Sequence, residues 1–150
     1  MKFKILLFCL LGFTSFFCFT SCDKTTEVII DSSKPQGDFK ASRTGTITAQ
    51  NSTPSAGTVQ IGKDEKGTEF VKLGADFITE FGTGTVSVYL SSSATFTASP
   101  GTGNPDLRLL GPALKKGETY YKMDPEVQSK FTHLILWCGT AGIPFGNAKL

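Results

Sequence analysis

Few side chains in this 150-residue chain can carry covalent or redox chemistry. Four are the cysteines Cys9, Cys18, Cys22 and Cys138, and one is a lone histidine, His133. Thiolates attack disulfides and peroxides and bind soft metals, so the cysteines bound what is chemically open. Cys9 and Cys18 lie within an apolar N-terminal stretch and Cys22 just after it. Cys138 ends the run Leu134-Ile135-Leu136-Trp137-Cys138 near the other terminus. One histidine limits any Ser-His-Asp arrangement. His133 and Cys138 make a poor metal pair: five residues along a strand is roughly 16 Å, and odd spacing sends the side chains to opposite faces. Asp76, Glu80 and Asp106 have no spacing that predicts a carboxylate pair. No glycine-rich phosphate loop ending in lysine occurs.

Lys2 and Lys4 precede an almost unbroken apolar run from Ile5 to Phe19, and Thr20, Ser21 and Cys22 follow. A basic start, an apolar centre and small polar residues mark residues 1–21 as a secretory leader. The apolar run is about 15 residues, short of the roughly 20 that a helix needs to cross a bilayer. Phe19-Thr20-Ser21-Cys22 resembles a bacterial lipobox, with Phe19 where leucine is usual and small Ser21 before the cysteine. The resemblance implies cleavage before Cys22 and conversion of its sulfur to a diacylglyceryl thioether. The alternative is plain secretion with Cys22 free. Acyl chains such as palmitate anchor at roughly 0.8 kcal/mol per buried methylene. A membrane of the bacterial cell envelope is then the first partner, through Cys22. Asp23 resembles a retention signal in some bacteria and an export signal in others, which leaves the periplasmic face and the cell surface both open.

Cleavage would remove Lys2 and Lys4, so the 15 basic residues fall to match the 13 acids and the mature chain is formally neutral. Its only adjacent basic pair is Lys115-Lys116. Nucleic-acid binding, which needs clustered phosphate contacts, finds no support. With Cys9 and Cys18 removed and Cys22 capped, Cys138 is the sole thiol, and a disulfide within the mature chain is impossible. Residues 22–40 read as a polar tether in which Pro35 and Gly37 mark a boundary and Val28-Ile29-Ile30 is either an edge strand or spacer. Residues 41–150, about 110 in number, suit one domain with a single core.

That domain reads as all-β. Short apolar-alternating runs recur between Gly, Asn, Asp and Pro. One is Thr44–Ala49. Gly57–Ile61 and Glu69–Leu73 flank the polar turn Lys63–Gly67 and predict a hairpin. Val86, Val88 and Leu90 share one face of the clearest strand. Ser91–Asn104 reads as loop, and Leu107–Leu114 is broken by Gly111-Pro112, as on an edge strand. Glu118–Met123 is a strand. Asp124-Pro125 predicts one helical turn over about 125–130, with Asp124 as its cap. His133–Cys138 is apolar on both faces, as in a central strand. About eight to ten antiparallel strands in one domain imply a β-sandwich or small barrel.

Trp137-Cys138 is followed by Phe145-Gly146, Ala148 and Leu150. Upstream stand Gly57-Thr58-Val59 with Ile61, Phe70-Val71 with Leu73-Gly74 and Asp76-Phe77, and Gly84 to Ser91. Leu114-Lys115-Lys116-Gly117 with Tyr120 completes the set. Covering nearly all of 41–150, this pattern resembles the DM-thirteen domain, also called the electron-transfer DM-thirteen domain. Thr85 departs from the proline usual there, and Gly142-Ile143 from an aromatic-polar pair. The resemblance implies an all-β fold and a redox role for its cysteine, as a bare thiol or as ligand to a prosthetic group such as haem. Carried over, that role falls on Cys138 and implies a redox partner protein.

The residues themselves allow two readings of Cys138. Regular alternation puts it on one face with Leu134 and Leu136, where a buried cysteine is a small hydrophobe with a raised pKa. Its place at a strand end before Gly139 allows an accessible thiol. No cofactor is evident. For haem, Met123, the only methionine left after cleavage, does not establish a second ligand. His133 reads as a surface or core-edge residue and Trp137 as a core plate. In a second class of function, the domain is a non-catalytic binding or structural module presenting the Ser91–Pro105 loop to a partner or glycan.

Overall fold

A computed structural model describes residues 31–97 and 103–150. Cys22 and the Val28-Ile29-Ile30 run lie outside these residues. Nine strands form: β1 Lys40–Thr46, β2 Thr48–Ala49, β3 Thr58–Lys63, β4 Glu69–Leu73, β5 Val86–Ser91, β6 Leu107–Pro112, β7 Thr119–Lys122, β8 His133–Cys138 and β9 Ile143–Lys149. They build a four-stranded sheet, β1-β3-β4-β7, and a five-stranded sheet, β2-β9-β8-β5-β6. Every pairing is antiparallel. The protein is an all-β sandwich.

Alternation along the strands supplies the core. Val59, Ile61, Val71 and Leu73 from one sheet meet Val86, Val88, Leu90, Leu134, Leu136 and Cys138 from the other. The expected β3–β4 hairpin forms, with Val59 opposite Leu73. Strand β8 lies between β5 and β9, which explains its apolar residues on both faces. The Gly111-Pro112 break falls on β6, an outer strand whose pairing with β5 shifts between Val88 and Tyr89. An edge tolerates both the missing N–H and the irregularity.

Three expectations change. Thr44–Ala49 is two strands, not one: buried Ile47 donates its N–H to Gly57 O, and the chain passes there from one sheet to the other. No helical turn forms over 125–130. Glu69 on β4 takes the backbone of that segment instead: its carbonyl accepts from Met123 N–H and its carboxylate from Val127 N–H. Phe131 N–H to Gln128 O closes only a turn, and the Asp124–Pro125 bond is cis. Third, residues 36–39, in the stretch read as tether, lie against the sandwich. Gln36 N–H donates to Asp64, and the Phe39 ring meets Tyr120 edge-on at 6.1 Å.

Candidate functional site

Cys138 is the last residue of β8, paired with Val86 on β5 and Ile143 on β9. This register decides its surroundings. Where β8 ends, the segment leading into β5 runs alongside, so Thr83 and Thr85 come next to the sulfur. Thr85 Oγ1 lies 3.5 Å from Sγ, and Ala141 N–H donates to Sγ at 3.4 Å. Thr85 Oγ1 also accepts from Thr140 N–H at 3.1 Å and pairs with Thr140 Oγ1 at 2.8 Å. Gly142, at φ +67°, closes the turn by donating its N–H to Cys138 O. Residues 139–142 of this turn are exposed, while Cys138 itself is 0% exposed. The thiol therefore sits one turn beneath the surface.

Burial pushes the Cys138 thiol up. The Thr85 hydroxyl, the Ala141 N–H, the Thr83 hydroxyl and the Thr140 N–H together pull it down further, and the pKa falls below the usual thiol value. Donors aimed at sulfur favour the thiolate, and here they outweigh desolvation. The raised pKa expected of a packed thiol is reversed, although its burial holds. Thr83 Oγ1 is buried and has no partner at ordinary hydrogen-bond distance.

The remaining motif residues separate by role. Phe145 is the extra residue of a bulge in β9, since Leu136 pairs with Gly146 and Trp137 with Pro144. The bulge drives Phe145 into the core, where it is 4% exposed. A Cβ on Gly146 would lie 3.0 Å from Thr48 O and 3.2 Å from Ser55 Cβ, so glycine gives β2 a close approach there. Ala148 is buried opposite Leu134, and Leu150 packs on the core edge. Phe145, Gly146, Ala148 and Leu150 therefore serve packing and place β9 against Cys138.

Trp137 is on the outer face of the five-stranded sheet, not in the core. Alternation along β8 sends it opposite to Leu136 and Cys138. Phe96 stacks on it, with centroids 4.0 Å apart and planes 14° apart, and Tyr89 meets Phe96 edge-on at 5.1 Å. The loop after β5 is drawn over this face, with Asn147 Nδ2 donating to Ala94 O. Ile135, on the same face, is fully buried. The same loop borders a cleft of about 210 Å³ whose lining includes Ser91, Ser92, Ser93, Thr95, Asn104 and Asp106.

His133 sits at the other end of β8 from Cys138, half-buried, with Nδ1 2.9 Å from Thr132 Oγ1. The three carboxylates named from sequence have separate partners. Asp76 holds the N–H and hydroxyl of Thr58, which lower its pKa. Glu80 accepts from Gly82 N–H, and Asp106 faces Lys130 at 3.8 Å. Among the described residues, no group of three or more His, Cys, Asp or Glu side chains could hold a metal ion. Met123 is a core residue, 5% exposed. Haem iron needs an open sulfur face. Cys138 Sγ is buried and already engaged by Thr85 and Ala141, so with the 139–142 turn closed it presents no face to an axial ligand.

The donors around Cys138 were missed by sequence reasoning, which weighed the thiol only against residues of its own strand. The sequence carried no signal for them, since they follow from the β5–β8 register, which sets the residues preceding Val86 beside those following Cys138. Searches of protein-family models, curated proteins and solved structures find no match to this chain.

Proposed function

We propose that this is a lipid-anchored protein of the bacterial cell envelope whose DM-thirteen-like sandwich supports redox chemistry through Cys138. The leader and Cys22 support the anchor, and the carrying observation for the redox role is the set of donors on Cys138 Sγ. Donors that favour a thiolate prepare a nucleophile. In the step this suits, the Cys138 thiolate attacks one sulfur of a partner's disulfide. A mixed disulfide forms at Cys138, and the partner's second sulfur leaves as a thiolate. The turn over residues 139–142 must lift for the partner to reach the sulfur.

The test is the rate at which a small aromatic disulfide labels folded mature protein, measured against pH. The expected outcome is labelling without denaturant and a midpoint below that of the same thiol in the unfolded protein. Labelling confined to denatured protein overturns the redox reading. A second reading, a non-catalytic binding module, is favoured by the hydroxyl-lined cleft beside the Ser91–Pro105 loop. It expects Cys138→Ala to keep partner or glycan binding and Asp106→Ala to lose it.

A further inference from the structure

Between the edge strands β6 and β7 lies a largely apolar groove of about 350 Å³, lined by Leu110, Pro112, Leu114, Lys115, Tyr120 and Tyr121. Leu114 is 80% exposed. Lys115 and Lys116 follow it, both exposed, and neither has an ion-pair partner among the described residues. Glu118, which precedes the lining residue Thr119, is paired with Lys72 at 2.8 Å. A protruding leucine, tyrosines and two unpaired lysines match the layered chemistry of a bilayer surface. The leucine suits the acyl boundary, the tyrosines suit the headgroup level, and the lysines suit anionic phosphates.

The course of the chain is compatible with the same occupant. Ser33 and Lys34 line a shallow cleft together with Lys115, Thr119 and Tyr120, three residues that also border the groove. The first described residues thus run beside it. Cys22 precedes Asp31 by nine residues, a reach of at most roughly 30 Å. A tether of that length lets this side of the sandwich reach the bilayer.

We infer that the β6–β7 groove is the face the domain lays on an anionic membrane, with Leu114 entering the acyl boundary and Lys115 and Lys116 meeting lipid phosphates. The inference rests on the lipid-anchor reading of Cys22. The experiment reconstitutes the mature acylated protein in phosphatidylcholine vesicles with and without phosphatidylglycerol and follows backbone amide exchange. Intact mass of the same sample reports acylation separately. An unmodified Cys22 overturns the anchor reading, and this proposal with it, before any exchange is read.

With Cys22 acylated, exchange over 113–121 should be slower in phosphatidylglycerol vesicles than in the anchored variant Leu114→Glu/Lys115→Glu. The expected slowing is about fivefold for each lysine charge in contact. Strands β3 and β8 should exchange alike in both proteins, which confirms that the variant is folded. Equal exchange over 113–121 in the two proteins overturns the proposal while leaving the anchor intact. Protection that persists without vesicles and rises with protein concentration assigns the groove to a second copy and also overturns it.

Discussion

The two seams of the sandwich are built in opposite ways. On one side β1 runs through Ile47 into β2, and the two sheets are joined by the chain itself. A Cβ on Gly45 would lie 2.1 Å from Lys149 O, so β1 and β9 touch backbone to backbone. Gln50 N–H and Asn51 Nδ2 add hydrogen bonds to Phe145 O and Pro144 O. On the other side β6 and β7 are free edges spanned by the Tyr121 hydroxyl, which donates to Pro112 O at 3.0 Å. The closed seam puts its apolar residues inside, whereas the open seam leaves Leu114 in solvent. Free edges invite pairing, and Pro112 with the irregular β5–β6 register blunts one of them. The difference separates a seam made for stability from one available for contact.

Substitution at the closed seam should have the largest effect. Gly45→Val forces a side chain onto Lys149 O, which even a Cβ would approach to 2.1 Å, and a loss above about 3 kcal/mol in urea unfolding is expected. A loss under about 1 kcal/mol would show that this contact yields and that the seams are alike. Tyr121→Phe removes the bridge across the open seam and should cost about 1 kcal/mol. Burial pushes the Tyr121 phenol up to about 12. Its stabilising share is therefore complete below about pH 10 and is lost as pH rises through the folded value. Burial also raises the Tyr120 phenol, so absorbance titration should show Tyr121 as the last tyrosine to titrate, a step that vanishes in Tyr121→Phe.

An acid effect should separate the segment beside the open seam from the core. Asp64 accepts the Gln36, Thr68 and Lys66 N–H groups, which hold its pKa below the usual carboxylate value against the opposing effect of burial. A depressed carboxylate pKa contributes stability above the unfolded value and loses it as pH falls through the folded one. The protection of residues 36–39 against amide exchange, relative to the unfolded chain at the same pH, should therefore fall below about pH 4 while β8 stays protected. Equal release of both segments would refute a separate hold at Asp64. The smallest effect is expected at Leu114, where Leu114→Ser should change stability by less than about 0.5 kcal/mol. A larger loss would mean that the open seam is structural as well.

Much of the sandwich was legible in local pattern. Val86, Val88 and Leu90 announced a strand with one buried face, and the turn after Lys63 announced the β3–β4 pairing. His133–Cys138 disclosed an interior strand because both faces had to be covered. The errors came where a distant partner overrode a local preference. Asp124-Pro125 is a sound helix start, yet Glu69, more than fifty residues earlier, takes up the backbone around it. Trp137 looked like a core plate because nothing local reveals that Phe96 will cover the opposite face. For Cys138, strand alternation gave its burial, but the sign of its pKa shift depended on Thr85 and Ala141.

Local residue pattern was enough to set the strand character, the inward set of aliphatic residues and the placing of Cys138 beside Leu134 and Leu136. These follow from a period of two and the removal of apolar surface from water. Tertiary structure alone decided which sheet each strand joined, which seam closed, and which donors met the sulfur. Those outcomes depend on register between segments far apart in the chain. A shift of one residue would turn every side chain of a strand to the opposite face, and no local pattern records the partner's alignment.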